Sequence, residues 1–72
     1  MNSSKLLGIM KEHNDTQETL AYAIGLSRKT LAAKIYEKGK AAFNRTEMKA
    51  IAKRYNLDED VFNEIFFDDL VA

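Results

Sequence analysis

The chain has 72 residues, of which 46% are hydrophobic, and this is enough for one small domain with a thin core. It contains no cysteine, which excludes a disulfide framework and a thiolate metal site and favours a reducing cytoplasm. The N-terminal residues lack the apolar segment of a signal peptide, and no apolar run is long enough to span a bilayer, so we expect no membrane partner.

The charges are unevenly distributed along the chain. All eleven lysines and arginines lie within residues 1–54 together with five acids, which gives this segment a formal charge of +6. Residues 55–72 carry six acids and no base, a formal charge of −6, so the net charge is zero. This distribution predicts a basic body with an acidic end. Because there is no proline and there are only three glycines, we also expect an all-α fold.

The first helix is predicted over roughly Lys5–His13, capped by Ser3 or Ser4. Its apolar residues recur at the spacing of one helical face, which is expected to lie in the core. They are Leu6, Ile9 and Met10.

The stretch Thr16–Tyr36 has the pattern of two short helices joined by a tight turn. We predict one helix over Gln17–Ile24, a turn at residues 25–27 and a second helix over Arg28–Tyr36. Two helices joined in this way form a helix–turn–helix (HTH) unit, here at residues 17–36.

Three small residues support this division. Thr16 and Ser27 precede the two helices and carry hydroxyl groups that can accept from free backbone N–H groups. Gly25 follows the first helix, where a positive φ is common and glycine adopts it without steric cost.

Two further helices are predicted after the HTH unit. Asn44 and Glu47 have the spacing of a capping box, so a fourth helix should begin there and run to about Tyr55. Asn56 is expected to end it, and Asp58 to cap a fifth, acidic helix over residues 58–71. Phe43 is expected to anchor the preceding loop in the core. The chain is thus predicted to be a single HTH domain over residues 1–72, folded as a compact five-helix bundle.

The last helix has more apolar residues than a small core requires. One stripe comprises Phe62, Ile65 and Phe66, and a second, rotated stripe follows it. An exposed apolar strip usually marks a partner surface, although a tail folded over the body would explain the same pattern. The candidate partner surface comprises Glu64, Phe67, Asp68, Leu70 and Val71.

The spacing of Gln17, Ala21, Gly25 and Leu31 resembles the HTH of phage Cro and C1-type repressors, the XRE-like family, and the resemblance covers roughly Lys5–Leu57. It implies a lambda-repressor/Cro-like bundle. The chain departs from the family at Lys34, where many members bury an aliphatic residue, and Ile35 is expected to take that place in the core.

The resemblance also implies which residues face a partner. In such proteins the start of the second HTH helix meets base edges in the major groove. The outward positions implied on this helix are Ser27, Arg28, Lys29, Ala32 and Ala33, and those implied to lie near phosphates are Gln17, Lys38, Lys40, Asn44 and Arg45.

Few of these positions can read a base. Arg28 is the best candidate for a bidentate guanine contact, which discriminates by about 1–3 kcal/mol, and Lys29 can reach a base or a phosphate. Ala32 and Ala33 offer at most a methyl contact, so the same face can also dock on protein.

Two functions remain open. The first is a Cro-like repressor that binds operator DNA on its own, as the basic body favours. The second is a protein-binding regulator, as the zero net charge and the surplus apolar stripe favour. The whole chain also resembles the modulator-of-repression proteins of temperate phages of lactic-acid bacteria. This implies an antirepressor of the lysis–lysogeny switch that acts in the bacterial host cytoplasm, binds the N-terminal HTH domain of the phage C1-type repressor and blocks its operator binding.

Other functions lack the residues they require. A single histidine, no cysteine and no glycine-rich phosphate loop argue against an enzyme, a metal site, a cofactor or a small-molecule substrate. His13 is expected to lie at the end of the first helix without a catalytic role.

Overall fold

The computed structural model describes residues 1–67 of the chain, and within them all regular secondary structure is helical. This confirms the predicted all-α, five-helix fold. The helices are α1 (Ser3–Glu12), α2 (Gln17–Ile24), α3 (Arg28–Ile35), α4 (Arg45–Tyr55) and α5 (Glu59–Phe66).

Every helix begins at a residue whose side chain accepts from a backbone N–H of the first turn. The predicted caps of α2 to α5 are confirmed, and α4 has the full capping box between Asn44 and Glu47. The prediction for α1 was wrong, because Asn2 caps it and Ser3 already lies in the helix. Ser3 instead donates from its hydroxyl to the backbone carbonyl of Ile35 at the end of α3.

The core draws on all five helices. Each helix contributes at least one side chain that is completely removed from solvent, and burying such a side chain stabilises the fold by about 1.5–3 kcal/mol. Phe43 is also buried and meets the ring of Phe66 edge to face, with centroids 6.0 Å apart, which confirms that it anchors the loop before α4. The fully buried residues are Leu6, Leu20, Leu31, Ile35, Ile51 and Ile65.

The turn between α2 and α3 positions the HTH unit. Gly25 has a left-handed backbone, with φ of 78°, and ends α2 as predicted. The backbone N–H of Leu26 then donates to the carbonyl of Ala21 at 2.9 Å. Ala21 is buried, and its methyl group lets α3 pack closely on α2, which is its main neighbour.

The end of the described chain closes onto its beginning. α5 packs against α1, and the backbone N–H of Asn2 donates to the carbonyl of Ile65 at 2.7 Å. The predicted helix over residues 58–71 is Glu59–Phe66 here, and Phe67 leaves the helical conformation with φ of −129°. Asp68, Leu70 and Val71 of the predicted partner surface lie outside the described residues.

Candidate nucleic-acid interface

The N-terminus of α3 presents two cations to solvent. Ser27 caps the helix by accepting from the backbone N–H of Thr30 at 3.1 Å, and the two hydroxyl groups are 2.9 Å apart. Arg28 and Lys29 follow in the first turn, and both side chains are exposed, as is that of Ser27. Because the free N–H groups of this turn are also positive, the end of α3 attracts anions.

The rest of the predicted outward face of α3 is less accessible. Ala32 and Ala33 are half-buried, since a methyl group does not project beyond the side chains around it. The prediction that these two alanines face a partner stays a prediction. Of the predicted outward residues, Ser27, Arg28 and Lys29 are the ones whose side chains are exposed and could contact bases. Thr30 is a further exposed polar residue beside them.

The residues predicted to lie near phosphates occupy the ends of two helices and a loop. Gln17 is the first residue of α2 and is half-buried, whereas Arg45 is the first residue of α4 and is exposed. Lys38 and Lys40 are exposed in the loop between α3 and α4. Asn44 is exposed too, but its side-chain oxygen accepts from the N–H of Glu47 at 2.8 Å, which leaves only its amide group to donate to a partner.

An ion pair between α3 and α4 was not anticipated from the sequence. Nζ of Lys34 lies 2.6 and 2.8 Å from the two carboxylate oxygens of Glu47, which is only 9% exposed. Burial acts to raise the pKa of Glu47, but the hydrogen bonds from Lys34 and from the backbone of Asn44 outweigh it and lower the pKa below its usual value. Ile35 takes the buried position beside it, as expected.

A helix-turn-helix family model, HTH_3, matches residues 8–62, which is more than half of the chain and includes α2, the turn and α3. The chain belongs to the HTH_3 helix-turn-helix family. It is therefore a DNA-binding type of regulator, and family membership supports operator DNA as a partner. No curated protein and no solved structure showed significant similarity to the chain.

A second polar cluster stabilises the HTH_3 domain behind the interface. The carboxylate of Asp15, 7% exposed, accepts at 2.7 Å from Nε and from Nη2 of Arg54, at 2.6 Å from the hydroxyl of Tyr55 and at 2.7 Å from that of Thr19. The hydrogen bonds from Arg54 hold the pKa of Asp15 well below its usual range. Burial, reinforced by the hydrogen bond to Asp15, raises the pKa of Tyr55. The cluster thus ties the start of α2 to the end of α4.

Two members of the predicted partner surface, Glu64 and Phe67, lie within the described residues. Phe67 is 37% exposed, and its ring centroid is 5.9 Å from that of Phe62. A surface depression beside them is lined by Arg45, Met48, Lys49, Phe62 and Phe67. Glu64 is exposed, and its Oε2 lies 3.1 Å from Nζ of Lys5.

Among residues 1–67 no group of three or more histidine, cysteine or acidic residues is arranged to hold a metal ion. His13 bonds through Nδ1 to the carbonyl of Ile9 at 2.9 Å, and its ring centroid is 4.9 Å from that of Tyr55. None of the helices within residues 1–67 has the length and apolarity needed to cross a membrane.

Proposed function

We propose that this HTH_3 protein is an antirepressor of a phage lysis–lysogeny switch, which binds the N-terminal HTH domain of a C1-type repressor and keeps that repressor off its operator. The observation that carries the proposal is that α3 offers few side chains that could contact DNA bases. Only Arg28 and Lys29 project as cations, because Lys34, the third cation of α3, is held by Glu47.

The charge of the molecule also favours a protein partner. Phosphate neutralisation by lysine and arginine supplies most of the non-specific affinity for DNA. Here Lys5, Lys34 and Arg54 are each paired with a carboxylate of the domain, and the whole chain has no net charge. The long-range attraction to DNA is correspondingly weak, whereas a partner protein needs only local complementarity.

Exposed aromatic residues on the HTH unit also favour a protein partner. Tyr22 on α2 is 89% exposed, and Tyr36 at the end of α3 is also exposed. Tyrosine and arginine are enriched among residues that dominate binding energy at protein interfaces. Arg28 and Lys29 would engage carboxylates of the repressor, and Ala32 and Ala33 would allow its backbone to approach.

An alternative geometry uses the acidic end of the chain. Asp58, Glu59 and Asp60 are exposed at the start of α5, which packs against α1 while α3 packs against α2. This acidic surface would approach the basic DNA-binding face of the repressor and imitate phosphate charge. Both geometries make the same chain an antirepressor, working in the bacterial host cytoplasm, and they differ in whether Arg28 matters.

A second candidate function is a Cro-like repressor that binds operator DNA on its own. The family match favours it, as does the capped, cationic start of α3 beside the exposed Lys38, Lys40 and Arg45. In this case affinity would fall steeply with salt, since each phosphate contact releases counterions.

One experiment separates the two. The protein is mixed with the HTH domain of the proposed cognate C1-type repressor, and complex formation is followed by calorimetry while operator occupancy is followed by fluorescence anisotropy. An antirepressor forms a discrete complex and releases the operator. Tight binding of the protein itself to the operator, with no complex, would overturn the proposal in favour of the Cro-like function.

Arg28→Ala tests the role of α3 in either mode. We expect this variant to bind its partner, whether the repressor domain or the operator, about tenfold more weakly, which is the lower part of the range for one good bidentate contact. Its melting temperature should be unchanged. Lys53→Ala is the matched control, because Lys53 is exposed on α4 and forms no ion pair with any described residue. Equal effects of the two variants would remove Arg28 from the interface.

A further inference from the structure

We infer that Lys34 and Glu47 are positioning residues, which fix the orientation of α3 relative to the N-terminus of α4 and thereby hold Arg28 and Lys29 in register with Asn44 and Arg45. The expected effect on binding rests on the proposed function, whether the partner is the repressor domain or operator DNA. The effect on orientation does not, because it concerns the free protein.

The contacts of this pair are short and sheltered. Both carboxylate oxygens of Glu47 accept from Nζ of Lys34, at 2.6 and 2.8 Å, and the two side chains are mostly buried. The oxygen at 2.6 Å also accepts from the backbone N–H of Asn44 at 3.1 Å, while the oxygen of the Asn44 side chain accepts from the N–H of Glu47. The ammonium group on α3 is thereby bonded to the capping box that starts α4.

Other polar contacts do not replace this one. Within residues 1–67, no other hydrogen bond or ion pair joins α3 to α4. α3 packs mainly on α2, and its last turn is held by the hydroxyl of Ser3 at the carbonyl of Ile35. Apolar contacts through Leu31 and Ile35 also bury α3, but they do not join it to α4 by a directional bond as the Lys34–Glu47 pair does.

The ion pair constrains the rotation of α3 relative to α4, because a charge-assisted hydrogen bond is directional and a buried unpaired charge is costly. The cap of α4 is the natural anchor, since Asn44 and Arg45 lie at the same helix end. Rotating α3 would pull Lys34 from Glu47 and, with it, change the direction in which Arg28 projects relative to Arg45. The pair therefore selects one relative arrangement of two groups of exposed donors.

The test uses variants that remove the charges and preserve the cap. Lys34→Met keeps most of the length and the apolar stem of the side chain, and Glu47→Gln retains the acceptor that a capping box requires. The double variant Lys34→Met/Glu47→Gln leaves no unpaired charge, so its stability should stay close to that of the parent. Lys53→Met serves as the control for loss of a lysine charge.

The first readout requires no ligand. Residual dipolar couplings of backbone N–H groups in the free protein report the angle between α3 and α4. We expect the double variant to change this angle and the control to leave it unchanged. An unchanged angle in a folded double variant would overturn the inference, whatever the protein binds.

The second readout separates positioning from mere support of the fold. In a double-mutant cycle, Lys34→Met/Glu47→Gln should weaken binding of the repressor domain or the operator by about tenfold with Arg28 present and by less than about twofold with Arg28→Ala. Equal losses in both backgrounds would show that Lys34 does not act through Arg28. If the parent protein binds neither ligand, the proposed function fails, while the couplings still decide the orientation.

Discussion

Replacing Asp15 with asparagine removes one negative charge from a nearly buried site and leaves the shape of the side chain almost unchanged. The carboxylate accepts four hydrogen bonds, two from Arg54 and one each from Tyr55 and Thr19, at 2.6–2.7 Å. An asparagine has a single acceptor oxygen, and its amide group faces donors that it cannot satisfy. We therefore expect Asp15→Asn to destabilise the fold, although the two side chains have nearly the same shape.

The magnitude follows from the partners. Hydrogen bonds to charged groups contribute about 1.5–3 kcal/mol each, but contributions within one network do not add. The Arg54 side chain is 35% exposed and regains water in the variant, which reduces the loss. A cost of about 2–3 kcal/mol remains. For a domain of this size it lowers the melting temperature by roughly 8–24 °C.

The dependence on pH identifies the charge as the cause. The pKa of Asp15 is lowered in the folded protein by its hydrogen bonds to Arg54, relative to about 3.9 in the unfolded chain. Its contribution is therefore fully present above the unfolded pKa and is lost as the pH falls toward the folded pKa. The difference in stability between the parent and Asp15→Asn should stay constant from about pH 7 to 5 and shrink below about pH 4.

Urea denaturation followed by circular dichroism at several pH values measures this difference. Glu12→Gln is the control, because Glu12 is exposed at the end of α1 and forms no ion pair with residues 1–67; it should change stability by no more than about 0.5 kcal/mol. A variant at Asp15 as stable as the parent, or a difference that does not shrink in acid, would refute the account of this cluster.

Two glycine substitutions should act in opposite directions. Gly25→Ala places a side chain at φ of 78° and should cost about 1–2 kcal/mol, seen as a melting temperature lower by several degrees in calorimetry. Gly8→Ala lies inside α1, where an added Cβ meets no atom within 4 Å, and should stabilise by about 0.5–1 kcal/mol. If both alanines shift stability in the same direction, the assigned backbone conformations are wrong.

Much of the fold is encoded in short-range signals. Thr16, Ser27, Asn44 and Asp58 were identified as caps because an N-cap bonds within its own first turn. Asn56 was expected to stop α4, and it does so with φ of 51°. The assignment failed at α1, where Asn2 and two serines are all competent caps and only the packing of Ser3 against Ile35 decides among them.

The polar clusters behind the interface could not be predicted in the same way. Asp15 and Arg54 are 39 residues apart, and Lys34 and Glu47 are 13 apart, so nothing in the local pattern joins either pair. Each charge taken alone resembles a solvated side chain. Lys34 did stand out as a departure from the family pattern, and that was the available signal. Which exposed residues touch a partner depends on the shape of that partner, so Arg28, Lys29 and the other site residues stay predictions.

The docking of α5 on α1 has a consequence for how the protein is made. Since the N–H of Asn2 bonds to the carbonyl of Ile65, the segment at Asn2 obtains this partner only after α5 has been synthesised. Until then Leu6 and its neighbours remain open to water and accessible to chaperones and proteases. Ribosomes that stall before α5 should therefore release fragments that are degraded, because only chains extended through α5 can complete the core.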